Sequence, residues 1–228
     1  MVVAIDGPAA VGKSSLAGWI AKTFGFLNLN SGAFYRALAL KVHNRGVDIE
    51  NIPEVISIAE TAKIEPKGES IYLDDEKIDS FLRTDLIDKL SSIISSIVPV
   101  RRIVNKRLQQ IATSIDIIAE GRDMTTVVFP NAELKIYLEA NPHIRARRRF
   151  DQGTSRQSIE ELELSLRERD NRDKSKIEGS LRVAEDALII DTSDLTLEEV
   201  YEKVGELINA RLTFRSKYAQ AGCLRREE

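Results

Sequence analysis

Among the 228 residues there is one cysteine, Cys223, which excludes an internal disulfide framework. The two histidines, His43 and His143, are too few to complete a Cys/His zinc site with it. No apolar run is long enough to cross a bilayer. The opening MVVAIDG lacks the charged and apolar regions of a signal peptide, so a cytoplasmic protein is expected. The net charge of −3 argues against a nucleic-acid polymer as partner. Apolar residues make up 43% and charged residues 30%, the balance of a folded globular chain rather than a disordered one.

Arginines nevertheless cluster locally, at Arg101-Arg102, from Arg145 to Arg149 and from Arg167 to Arg172. An acidic chain with such clusters suits a small polyanion. The competing reading is a set of solvated helix faces.

Short apolar runs at Val2–Ile5, Phe26–Leu29, Ile115–Ala119, Leu134–Leu138 and Leu188–Asp191 read as strands. Stretches of helical spacing lie between them: Ser14–Phe24, Gly32–Asn44, Phe81–Ile97, Val100–Ile111, Pro142–Arg149, Ile159–Arg172 and Leu197–Leu212. Such alternation implies an α/β fold, a parallel sheet with helices on both faces and ligands at the carboxyl ends of the strands. IEPKGESIYLDDEKI, from Ile64 to Ile78, alternates apolar residues around two turn signals and reads as a small antiparallel insert. Residues 213–228 have weak periodicity and read as a flexible tail.

Gly7-Pro8-Ala9-Ala10-Val11-Gly12-Lys13-Ser14-Ser15 follows the first strand and opens the first helix. Its spacing is that of a phosphate-binding loop, with backbone N–H groups turned inward, a lysine for the β- and γ-phosphates and a serine for Mg²⁺. The alternative is a chance glycine turn. No guanine-reading Asn-Lys-x-Asp, switch Asp-x-x-Gly or LSGGQ sequence accompanies it, which leaves a small-molecule kinase. Ser31, Gly32 and Arg36 open the next helix and form a second anion site. Glu120, Arg122 and Asp123 follow the third strand. Arg169 and Asp173 are four apart on a helix, with Lys176 beyond. They could equally be a surface pair, supporting the helix by about 0.3–0.5 kcal/mol.

GPAAVGKSS, SGAFYR, EGRDMTTVVFP, RERDNRD and DALIIDTS, in this order, resemble the bacterial cytidylate kinases, P-loop nucleoside monophosphate kinases. The resemblance covers Met1 to Leu212. It implies a five-stranded parallel sheet with an antiparallel insert and a helical lid. Residues 1–212 would then be one kinase domain: a core at 1–30, 97–141 and 181–212, a monophosphate-binding region at 31–96 holding the insert at 63–79, and a lid at 142–180. It also implies Mg²⁺-dependent phosphoryl transfer from ATP to CMP or dCMP, by a monomer. Lys13, Arg122 and Arg169 would be catalytic, and Arg148 would join the loop in binding ATP. Ser31, Arg36, Ser92, Arg101, Arg122, Asp123, Arg169, Asp173 and Lys176 would bind CMP. Ser14, and Glu120 through a water, would hold the metal. Arg145 and Arg149 are further lid candidates, and Arg102 is the alternative to Arg101.

The chemistry suits this inventory. An acceptor phosphate is already ionised near neutrality, so transfer needs two polyanions held in line rather than a general base. Cytosine offers an amino donor to a carboxylate, whereas uracil presents a carbonyl oxygen that Asp123 repels. An unpaired buried polar group costs about 1–3 kcal/mol, so CMP should be preferred over UMP by at least about tenfold.

Four residues depart from the family pattern. Asn30 and Glu120 stand where aspartates are usual, and Lys176 stands where many members have arginine. Thr125 replaces a glycine, and strain is expected there if the turn needs a positive φ. Rival readings are a kinase of UMP or of a small hydroxy acid such as shikimate, and a non-catalytic ATP-binding regulator.

Overall fold

A computed structural model describes residues 1–68, 70–153 and 157–223, with side chains described as far as 216. The sheet contains β1 (Val2–Asp6), β2 (Leu27–Asn30), β6 (Ile117–Glu120), β7 (Leu134–Glu139) and β8 (Leu188–Asp191). Its order is β2-β6-β1-β7-β8, and every pairing is parallel. β1 is central and contributes to both faces, as its unbroken apolar run requires. Val3 and Ile5 join Leu16 and Ile20 of α1 (Lys13–Phe24) and Val204 and Ile208 of α8 (Leu197–Cys223). Ala4, facing the other way, joins Phe34 and Leu38 of α2 (Ser31–Asn44) and Val104 and Leu108 of α5 (Val98–Ile111).

The insert is a three-stranded antiparallel sheet: β3 (Ile64–Lys67), β4 (Ser70–Leu73) and β5 (Glu76–Lys77). Asp74 and Asp75 both take positive φ, as a tight hairpin turn demands. Lys41 of α2 clamps this turn by an ion pair of 2.7 Å to Asp74.

The helix expected over Phe81–Ile97 is broken. Asp79–Phe81 is a 3₁₀ turn, and α4 (Asp85–Ile94) starts afresh at Thr84, whose hydroxyl accepts from the Ile87 N–H at 3.2 Å. α5 begins at Val98, two residues earlier than its periodicity shows, because Pro99 is at home in a first turn. A helix missed altogether, α3 (Ile52–Thr61), packs on α2 and α5. α6 (Pro142–Asp151) and α7 (Ile159–Lys174) pair beside the phosphate loop. Ser158 and Glu161 form a reciprocal capping box at the start of α7.

α8 continues to Cys223, past the Leu212 at which its apolar spacing ends. Arg215, on that extension, pairs at 2.7 Å with Asp116, which also holds the N-terminal ammonium of Met1. Residues 224–228, and the Cys223 side chain, lie outside the described residues.

Candidate active site

The loop after β1 turns tightly. Gly7 has φ +147°, and a β-carbon there would lie 2.2 Å from the Leu138 carbonyl oxygen, so no side chain fits. Lys13 is buried and folds back, its ammonium donating to the carbonyls of Gly7 at 2.8 Å and Pro8 at 2.6 Å. Burial, and then the neighbouring Arg122, hold its pKa well below the ordinary lysine value.

Ser14 donates to Glu120 Oε2 at 2.9 Å. Asn30 Nδ2 donates to the other carboxylate oxygen at 2.6 Å, while Asn30 Oδ1 caps α2 by accepting from the Ala33 N–H at 2.9 Å. The two departures from the family pattern therefore meet: a longer carboxylate and a neutral amide share one hydrogen bond and carry one negative charge. Glu120 is buried, and desolvation pushes its pKa up against the pull of Lys13. A hydroxyl beside a carboxylate is a hard-oxygen donor set that suits Mg²⁺.

Thr125 does not take a positive φ, so the expected strain is absent. It lies in a π-turn (Met124–Val128) that is fastened to Asp6 at the end of β1. The Thr125 hydroxyl donates to Asp6 at 2.6 Å, and the N–H groups of Met124 and Thr125 donate at 2.9 and 2.7 Å. Asp6 is wholly buried, and desolvation pushes it up to about 6 despite these bonds.

The nine residues expected at CMP line one cavity of about 60 Å³. Ser31, Arg36, Ser92, Arg101 and Arg122 are on its wall, with Asp123, Arg169, Asp173 and Lys176. Arg101 is 2% exposed and ion-paired to Asp123; it also donates to the Ser95 carbonyl at 2.8 Å. Arg102 instead points outward to Glu178 at 3.0 Å, so of the two it is Arg101 that lines the cavity. Small-molecule sites are usually about 300–1,000 Å³, so this cavity, closed by its ion pairs, is smaller than such a site.

The expected Arg169–Asp173 pair is not formed. Asp173 accepts from Arg122 at 2.7 Å and from Lys176 at 2.9 Å, and Lys176 also donates to Ser95 at 3.0 Å. Burial pushes Asp173 up, but Arg122 and Lys176 outweigh it and hold the carboxyl far below its usual range. Arg169 has no ion pair within 4 Å among the described residues; burial and then Arg122 lower it to about 10. Ser92 is half-buried and accepts a long 3.4 Å bond from Arg172.

A second cavity, of about 330 Å³, lies on the other side of the loop, lined by Ala10, Val11 and Gly12 with Leu138, Leu195 and Val200. Arg148 joins its wall and is held through Thr192, whose hydroxyl it meets at 3.0 Å. Arg145 is buried, pairs with Asp170 at 2.7 Å and donates to the Ala9 carbonyl at 3.1 Å, tying α6 and α7 to the loop. Arg149 reaches Asp88 on α4.

Several residues here carried no sequence signal. Tyr35 lies under Arg101, whose guanidinium is 5.8 Å from the ring centre. Gly179 takes φ +71°, and a β-carbon there would overlap Arg101. Asp6 and Asp88 were also missed, each being one acidic residue among 36 aspartates and glutamates.

Arg122 and Arg169 each line the smaller cavity and also depress the Lys13 ammonium. A glycine-bounded loop that opens a helix at Lys13, beside an arginine-lined cavity, defines a P-loop protein. The chain belongs to the cytidylate kinase family, whose profile matches residues 3–210. It is 39% identical to the cytidylate kinase of Caldanaerobacter subterraneus subsp. tengcongensis over 90% of this chain and 93% of that one. It is 41% identical to that of Thermodesulfovibrio yellowstonii over 87% and 93%. Among solved structures, an uncharacterized protein from Eubacterium ventriosum shares the fold at a TM-score of 0.51 and 10% identity, covering 92% of this chain and 98% of that one.

Proposed function

We propose that the protein transfers the γ-phosphoryl group of ATP to CMP or dCMP, giving CDP or dCDP and ADP. The observation that carries this reading is the double placement of Arg122 and Arg169. They line the acceptor cavity, and their charge bears on the Lys13 that serves the donor. Phosphates on the two sides would thus repel across a gap already filled with positive charge.

In this reading the cavity beside Val11 and Leu138 takes the adenine, and Arg148 holds its phosphates. Lys13 exchanges its two carbonyl partners for the β- and γ-phosphates. Ser14 and Glu120 would hold Mg²⁺, which would supply neutralisation of the charge on the transferring phosphoryl group. Arg36 and Arg122 grip the acceptor phosphate. Arg101 and Asp123, now paired to each other, open to the cytosine ring, and Asp173 turns to the ribose. The lid, α6 and α7, closes over the donor and keeps water from competing with CMP.

The test is ADP release with CMP, dCMP, UMP, AMP and shikimate offered separately. Fast release with CMP and dCMP alone is expected. Equal rates with UMP would discard the base-reading roles of Ser92, Arg101 and Asp123. Release independent of any acceptor would leave a nucleotide-binding regulator.

A further inference from the structure

Asp88 lies one turn into α4, away from every motif that identifies the family. Its two carboxylate oxygens hold two arginines from different elements. Oδ1 accepts from Arg36 Nε of α2 at 2.9 Å, and Oδ2 accepts from Arg149 Nη2 of α6 at 3.4 Å. The carboxylate is four-fifths buried. Its charge is also felt at Arg169, which has no ion pair within 4 Å among the described residues. Asp88 lines a third cavity, of about 540 Å³, together with Arg149, Arg169 and Arg172 and with Ala9 and Ala10 of the phosphate loop. Arg36 and Arg169 line the small acceptor cavity. Asp88 therefore sits between the acceptor side and the loop side, bonded to one arginine of each.

The atom used on Arg36 matters. Asp88 takes the single Nε–H and leaves both terminal amino groups of the guanidinium free of it. A planar guanidinium fixed through Nε presents the other edge in a set plane, and a phosphate accepts two parallel bonds from such a fork. An arginine held this way loses less freedom when an anion arrives than one on a free chain.

We propose that Asp88 is a positioning residue for phosphate: it fixes the Arg36 fork toward the acceptor phosphate and, through its second oxygen, sets Arg149 of the lid against the same region. The proposal rests on the CMP reading for the identity of the acceptor but not for the presence of an anion. Asp88 touches no substrate; it acts through the two arginines.

Its role is separable from a general structural one, because only the phosphate half of the ligand should feel it. The experiment is calorimetric titration of wild type, Asp88→Asn and Asp88→Glu with CMP, with cytidine and with sodium sulfate as a bare tetrahedral anion. Denaturation midpoints establish that each variant is folded. Asp88→Asn keeps an acceptor for Arg36 but removes the charge. It should weaken CMP and sulfate by roughly tenfold and leave cytidine within about twofold. Asp88→Glu should recover most of the loss. Equal weakening of CMP and cytidine, with sulfate unchanged, would overturn the proposal and mark Asp88 as part of the scaffold only. Weakened sulfate binding in a protein that binds neither CMP nor cytidine would support the positioning role while removing the CMP reading. Unchanged sulfate in a variant that still binds CMP normally would do the reverse.

The lid half has its own check. Arg149→Met, and the double variant with Asp88→Asn, should raise the KM for CMP non-additively, since both break one pair. Strict additivity would remove the link to the lid.

Discussion

Arg122 Nε donates to Asp173 Oδ2 at 2.7 Å, joining the turn after β6 to the last turn of α7. The other oxygen of Asp173 holds Lys176 at 2.9 Å. One buried carboxylate thus balances two cations. Asp173→Asn should leave them facing each other without a counter-charge and cost about 3 kcal/mol of stability. The folded pKa of Asp173 lies below its unfolded value near 3.8. Its contribution is therefore full above that pH and is lost as pH falls below it. Urea midpoints of wild type and variant should differ fully near neutrality and converge in acid. A constant difference would refute the assignment.

Asp6 should behave in the opposite way. Its folded value of about 6 lies above the unfolded 3.8, so the native state binds the extra proton between them. Stability should fall as pH rises through that window, by on the order of 3 kcal/mol. Asp6→Asn should flatten this part of the profile, measured as the denaturant midpoint against pH. Thr125→Val removes the 2.6 Å hydroxyl bond and should destabilise by about 1–3 kcal/mol at neutral pH.

Glu120→Gln tests the proposed Mg²⁺ site. It keeps an oxygen for Ser14 and loses the charge. The Mg²⁺ concentration giving half-maximal activity should rise by about 10–100-fold, with the KM for CMP little changed. A change in CMP alone would place Glu120 on the acceptor side.

Gly179→Ala tests the packing behind Arg101, the proposed base reader. The new methyl group would overlap the Arg101 guanidinium and strain a backbone at φ +71°. Arg101 must leave its pairing with Asp123. The KM for CMP should rise by up to about a hundredfold, while ATP binding measured without CMP stays close to wild type. Equal losses for both would mean that the whole domain had shifted.

The parallel sheet was legible because β1, β6 and β7 are buried on both faces and therefore read as short apolar runs, interrupted in β7 by Lys135. The phosphate loop was legible for a different reason. Its glycines, Lys13 and Ser14 act at fixed spacing within nine residues, Gly7 to Ser15, so their geometry is local. The insert showed itself through alternation and the Asp74-Asp75 turn. The break before α4 was less visible, because Thr84 reads as an ordinary residue until its hydroxyl is seen to cap the Ile87 N–H. Helix α8 outran its apolar periodicity, and on that extension Arg215 meets Asp116, a contact that no local pattern encodes.

By itself the sequence determined the fold class, the loop chemistry and the residue types at the acceptor site. All three rest on short-range spacing or on motifs that lie whole within one segment. Only the tertiary structure decided the partners of the charged groups. Spacing put Asp173 with Arg169 on one helix, but folding carried Arg122 close enough to take its carboxylate. It gave Asp88 to Arg36 and Arg149, and Glu120 to Ser14 and Asn30. A charged side chain that leaves water pairs with whichever opposite group the packed elements bring within a few ångströms, and that choice is made in space rather than along the chain.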